Sequence, residues 1–322
     1  MLKLLCWLLA LSICTASPLP LLGAETARIR ASYASLSPSS SILSLTQDAG
    51  FFKREGLDVE VLYVPAGSLN VQALISKELQ LSTLGGPAVV QAGLQGADLV
   101  YIAGIANRLM VALVAQPSIK RVAELRKKRI GITRFGSNID LQARVLLSNM
   151  GVAPKDTTFL QIGGNVERLA ALKSGLVDAS FFSPEMMSRA KQEGLSILFD
   201  PRQNAPIPWL QTGVVTSRDL VINQRALVRS LARAVFNGMT TFRNDPEFTL
   251  RFLARFLRQN DRDQLREAYE EYSTDFPWPP YPTREGLSFI IEQSVKSSSK
   301  KADDFIDLSF LSEFEKQGLF RK

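Results

Sequence analysis

The 322-residue sequence contains no histidine. That removes the commonest general base, any Ser-His-Asp relay and nearly every catalytic zinc site. Cysteine is confined to Cys6 and Cys14, so from Glu25 onward no disulfide, thiolate nucleophile or cysteine-ligated metal is available. Charge of one sign is nowhere concentrated: 38 Lys and Arg stand against 31 Asp and Glu, a net +7 spread along the chain. No basic run is interleaved with stacking aromatics, which argues against a nucleic-acid partner. The acidic stretch Asp303, Asp304 and Asp307 lacks the loop spacing of a calcium site. The expectation is no catalytic residue, no metal and no cofactor.

What is present is a chain 46% apolar and long enough for two compact lobes. Residues 1–24 read as a secretory signal: Lys3 gives a positive start, residues 4–13 an apolar segment too short to span a bilayer, and Gly23-Ala24 small residues before the cut. Leu11-Ser12-Ile13-Cys14 is a degraded lipidation motif, which leaves a lipid on Cys14 as the alternative end of the mature chain. Beyond this segment no apolar run reaches membrane length without a charge, and a soluble monomer is expected.

Residues 48–61, DAGFFKREGLDVEV, set the pattern for the rest. Phe51 and Phe52 form the apolar end of a short helix and Gly56 stops it. Leu57, Val59 and Val61 then alternate with Asp58 and Glu60 as a half-exposed strand does. Helix, glycine stop and strand make one step of a wound α/β sheet. Earlier, a strand at residues 27–35 feeds a Ser/Pro loop and a helix at 42–47. Ser37, Ser39 and Ser40 either cap that helix or face a crevice at the sheet's carboxyl end. Gly67 and Ser68 open the helix 69–77, whose Val71, Leu74 and Ile75 are expected to face the sheet. Gly86 and Pro87 open the helix 88–95, with strands at 80–83 and 99–103 around it. These strand-end turns serve as ligand contacts or as plain connectors.

Residues 109–115 break this rhythm and read as a crossover into a second lobe, where αβ units resume through residue 199. Arg129–Asp140, RIGITRFGSNID, runs from a strand through Gly136 to Ser137 as a helix cap. Backbone N–H groups at Asn138 and Ile139 would be free to hold an anionic head-group, with Arg134 adding charge or facing solvent, and Phe135 beside it. In the block 163–179, GGNVERLAALKSGLVDA, Asn165 is read as a helix cap, Leu169, Leu172 and Val177 as core, and Lys173 and Asp178 as exposed. Ser183 and Pro184 end the strand that follows. A second crossover strand at 209–217 places Gln211 and Thr212 on the floor of the gap, with Trp209 stacking on a ligand or buried at the junction. The helix 224–242 carries Leu227, Leu231, Ala234, Val235, Met239 and Phe242 on one face and Arg225, Arg229 and Arg233 as a basic stripe opposite, read as a solvated face.

The blocks at 48–61, 129–140 and 163–179, with 281–287 (YPTREGL) and Asp303–Asp307 in the tail, resemble periplasmic binding proteins that serve importers for sulfonates, nitrate, taurine and thiamine precursors. The resemblance implies a two-lobed α/β type II periplasmic binding fold, each lobe a wound sheet flanked by helices, the two joined by crossover strands. Residues 25–110 and 214–322 would form lobe 1, and residues 111–213 lobe 2. It further implies an extracytoplasmic receptor that captures a small, anionic organic solute between the lobes and delivers it to an ABC permease and, through that, an ATPase. A sensory receptor with the same fold is the alternative. A related branch makes a thiamine pyrimidine by consuming one of its own histidines, a chemistry closed to this chain.

Overall fold

The computed structural model describes residues 29–320 apart from 205 and 296; the signal reading of residues 1–24 and the lipid alternative at Cys14 lie outside the described residues. The chain opens with β1 (Ile29–Tyr33), α1 (Ile42–Asp48), α2 (Phe51–Arg54), β2 (Val59–Tyr63), α3 (Gly67–Ile75), β3 (Leu81–Leu84), α4 (Gly86–Leu94) and β4 (Leu99–Arg108). It continues through β5 (Ala112–Ala115), β6 (Arg129–Ile132), α5 (Asn138–Asn149), β7 (Thr158–Gln161), α6 (Asn165–Lys173), β8 (Ala179–Phe182), α7 (Met186–Gln192) and β9 (Ser196–Phe199). β10 (Pro208–Ser217) then leads into α8 (Arg218–Asn223), α9 (Arg225–Asn244), α10 (Pro246–Leu257), α11 (Arg262–Asp275), α12 (Arg284–Ser294) and α13 (Ser309–Lys316).

The strands form two five-stranded mixed sheets, ordered β2-β1-β3-β10-β4 and β7-β6-β8-β5-β9. In the first, β1 runs parallel to β2 and β3, while β10 is antiparallel to β3 and β4. In the second, β6 runs parallel to β7 and β8, while β5 is antiparallel to β8 and β9. Each sheet therefore has four strands running one way and one, β10 or β5, against them, and the short turns after β1–β3 and β6–β8 are what meet between the bodies.

Strand alternation sets the layers. Leu113 and Ala115 of β5 point into one core and Val114 into another, as period two requires. The core shared by the facing sides of both sheets includes Leu84, Val89, Ile130, Phe181, Trp209, Leu287 and Ile290. A second core lies beyond the first sheet, where α1, α9, α10 and α13 bury Leu43, Leu45, Val235, Phe236, Met239, Phe252 and Phe310.

Four readings are corrected. The strand expected at 99–103 runs to Arg108, because it pairs with the ten-residue β10 along most of its length. Ile75 is 52% exposed while Val71 and Leu74 are buried, since it lies one helical step past the stripe they form. Asp178 is not exposed: its side chain is mostly covered and pairs with Arg129 at 3.0 Å. The stripe Arg225, Arg229 and Arg233 is solvated only in part: Arg225 is exposed and the other two half-buried, and their guanidiniums sit over Phe310 and Phe314 of the C-terminal helix at 4.6–5.3 Å, where Arg229 also binds Glu313.

Candidate functional site

The ends of the six parallel strands enclose a cavity of about 80 Å³, room for several water molecules. From the first body it is lined by Ser35, Ser37, Ser39 and Ser40 after β1, Tyr63, Ala66 and Gly67 after β2, and Gly85 after β3. The second body contributes Thr133, Ser137 and Asn138 after β6, Gly164, Asn165 and Arg168 after β7, and Ser183 after β8. Gln211 and Thr212 of β10 and Tyr272 of α11 complete it. The N-terminal ends of α3, α4, α5 and α6 all reach this cavity, two from each body, so four sets of unpaired N–H groups bring partial positive charge to one place.

Hydroxyls hold the walls. The serine loop is knitted by Ser35 to Ser37 at 3.0 Å and to Ser40 at 2.8 Å, and Ser39 shares a 3.1 Å hydrogen bond with Thr212. Ser137 accepts from the Asp140 N–H and caps α5. Asn138 links the second body to β10: its Oδ1 accepts from Trp209 Nε1 at 2.9 Å and its Nδ2 donates to the Gln211 carbonyl at 3.3 Å. Trp209 is thus buried at the junction with its N–H satisfied, and it does not line the cavity.

Arg168 is the one charged side chain among the described residues lining the cavity. It is 2% exposed. Its guanidinium donates to Thr133 Oγ1 at 2.7 Å, the Gly163 carbonyl at 2.5 Å, Asn165 Oδ1 at 2.6 Å and the Phe181 carbonyl at 3.1 Å. All four acceptors are neutral, and the buried Nε has no partner. Burial pulls its pKa down to about 10, with the Tyr63 and Glu167 charges acting the other way, so it stays a cation at neutral pH. A desolvated cation held by neutral acceptors alone is electrostatically incomplete, and an anion in the cavity would complete it.

Nine of the expected residues meet here: Ser37, Ser39, Ser40, Gly67, Ser137, Asn138, Ser183, Gln211 and Thr212. Seven lie elsewhere. Gly136, at φ 75°, turns the loop after β6 outward, so Arg134 is exposed and Phe135 is 51% exposed on a surface groove beside α4. Gly86 and Pro87 face away from the cavity between the lining residues Gly85 and Ala88; Gly86 packs under Ile290 of α12, and its neighbour Gly85 takes the inner place against Asn138. Ser68 faces the outer groove, and Pro184 is buried behind Ser183. Sequence reasoning missed Tyr63, Thr133, Arg168 and Tyr272. It also misassigned Asn165, which does not cap α6 (Gly164 holds that position) but donates to Ser183 and accepts from Arg168.

Two α/β bodies that share a core and close a polar, acid-free cavity between their parallel strand ends define the periplasmic binding protein fold. Residues 37–248 match the NMT1/THI5-like family, and the chain belongs to it. A Brucella abortus protein carried under the name of a binding protein is 23% identical over 250 residues, 76% of each chain. A Haemophilus influenzae protein named for thiamine biosynthesis is 21% identical over 197 residues, and the match spans 61% of that protein. Among solved structures, the alkanesulfonate-binding protein SsuA of Xanthomonas axonopodis pv. citri, bound to MOPS, superposes with TM-score 0.67 at 19% identity, covering 93% of this chain and 96% of that one. The periplasmic nitrate-binding protein NrtA of Synechocystis PCC 6803 gives 0.70 at 13% identity, covering 91% and 89%.

Proposed function

We propose that this chain is the exported solute-binding component of an ABC importer, and that it holds a small organic or inorganic anion between its two bodies. The observation that carries this reading is Arg168, a buried guanidinium without a carboxylate partner, set where four helix N-termini meet. The wall adds hydroxyls and amides, and no acidic side chain is among its described lining residues, so it offers donors to an anion; the Glu167 and Glu185 carboxylates stand one layer back. The names of the structural neighbours, which bind alkanesulfonate and nitrate, support the same charge class. The small volume favours a compact solute such as nitrate, a short sulfonate or a short carboxylate.

In this reading residues 25–110 with 214–322 move as one lobe and 111–213 as the other, with β4 and β10 carrying the chain between them. The segment 1–24 is the export signal. Solute bridging both sets of turns stabilises the closed form by binding it more tightly than the open one, and a permease reads that shape.

Thermal unfolding in the presence of methanesulfonate, nitrate and acetate, with dimethyl sulfone as the uncharged control, tests it. An anion at a hundredfold excess over its Kd adds about 2.7 kcal/mol of apparent stability, and Arg168→Met abolishes that gain. Equal shifts with the uncharged control, or an undiminished shift in Arg168→Met, would remove the anion reading.

A further inference from the structure

The two bodies meet a second time behind the cavity, along α11. The Tyr272 hydroxyl donates to Glu185 Oε2 at 3.2 Å, and the Ser183 hydroxyl donates to Glu185 Oε1. Glu185 stands in the turn between β8 and α7, so this contact joins the second body to a helix packed on the first. Next to Tyr272, Glu271 has a buried Oε1 with no hydrogen-bond partner. Arg108 of β4 reaches only 4.0 Å from it and is already bound to Asp275. From the connection between β9 and β10, Arg202 crosses to Glu267 at 2.5 Å while holding Asp200 at 3.1 Å. The charges facing Glu271 are therefore Arg202 and Glu185 across the interface, Arg108 from β4, and Asp275 on its own helix.

Two guanidiniums, Arg108 and Arg202, are shared among five carboxylates: Asp200, Glu267 and Asp275, which hold them, and Glu185 and Glu271, which have neither to themselves. Glu185 and Glu271 come from opposite sides of the interface, and both are buried where the two bodies meet. We propose that this pair is a proton-binding site that assembles on closure, so that closing the protein takes up a proton from solvent. Burial, then the neighbouring Glu185 and Asp275 charges, push Glu271 up to about 7 against the pull of Arg202 and Arg108. Burial raises Glu185 too, despite the two hydroxyls that donate to it.

The sign follows from linkage. On this proposal parting the bodies returns both groups to water and to ordinary carboxylate behaviour, whereas burial raises both where the bodies meet. The proton thus favours closure fully below that ordinary range, and the effect is lost as pH rises through about 7. For Glu271 alone the closure equilibrium would change by roughly two orders of magnitude across that window.

Small-angle X-ray scattering of the purified protein, without added solute, from about pH 5 to about pH 8.5 reads this directly. The expected result is a compact particle in acid whose radius of gyration rises with a midpoint near neutrality. Glu271→Gln, a neutral isostere of the protonated acid, should stay compact across the range. Its thermal unfolding in acid should match the parent, which shows that the substitution leaves the fold intact. A parent protein of constant radius, or a Glu271→Gln variant that follows the parent curve, overturns the proposal. Because no solute is involved, either result leaves the anion reading to its own test.

Discussion

At Gly164 the second body comes close to the first. A Cβ there would lie 2.8 Å from the Tyr63 hydroxyl, which reaches over from the end of β2, and 2.9 Å from Oε2 of Glu167, the far end of a flexible side chain of its own body. The Tyr63 ring is stacked on Tyr33 at 5.3 Å and Tyr33 packs on Phe256 at 5.1 Å, so the phenol has little freedom to retreat. Gly164→Ala should therefore resist closure and weaken solute binding by about tenfold, the scale of a modest overpacking cost. Tyr63→Phe, by deleting the hydroxyl, should restore most of that loss in the double variant; titration calorimetry on the four proteins measures it. Ser137 offers a cleaner electrostatic test. Aspartate caps a helix as well as serine does, so Ser137→Asp should keep the melting temperature while a negative charge at the cavity wall abolishes anion binding. Unchanged affinity would take the α5 terminus out of the site.

Among the elements, β6 and β8 are pinned at their starting end by Arg129 and Asp178. Asp178 accepts from the Arg129 N–H at 2.8 Å and from its side chain at 3.0 and 3.1 Å. The Arg129 side chain, followed by its backbone N–H, holds the Asp178 carboxyl below the usual carboxylate range, against some desolvation. That contribution to stability is complete above the ordinary carboxylate range and lost as pH falls through the folded-state value. Asp178→Asn should thus melt lower than the parent at neutral pH and lose less on acidification; melting curves across the acid range check both halves. At the other end of the chain, α13 is fastened to α9 by arginines lying over phenylalanines. Arg229→Ala removes one cation–π contact and the Glu313 ion pair, and should cost about 1 kcal/mol by chemical denaturation. Element types were legible throughout: the alternation at Val59 and Val61, the Gly56 stop (φ 73°) and the Ser137 cap are local chemistry, and local chemistry is readable from neighbours in sequence.

For the whole molecule, closure is a contest between contacts that exist only when the bodies meet and the solvation each body regains when they part. The Arg202 to Glu267 pair is one such contact, exposed enough to contribute little by itself. Arg202→Ala should raise the Kd of a bound anion about threefold, mostly through faster release; stopped-flow dissociation shows whether the rate moves.

By itself the sequence determined the alternation of strands and helices, the small polar turns at the strand ends and the lack of histidine and, from Glu25 onward, of cysteine, because each of these depends on residue type and spacing. It also placed nine cavity residues, seven of them because a turn that follows a parallel strand has only one end of the sheet to face, and Gln211 and Thr212 because they lie on the returning strand β10. Tertiary structure alone decided Arg168. In the run VERLAALKSG it looks like any helical surface charge, and its burial depends on Thr133, 35 residues away, and Phe181, 13 residues away. The same holds for Glu185, Glu271 and Tyr272, whose meeting across 87 residues no local pattern encodes. Desolvation is a property of everything packed around a group, and only the folded arrangement of both bodies supplies it.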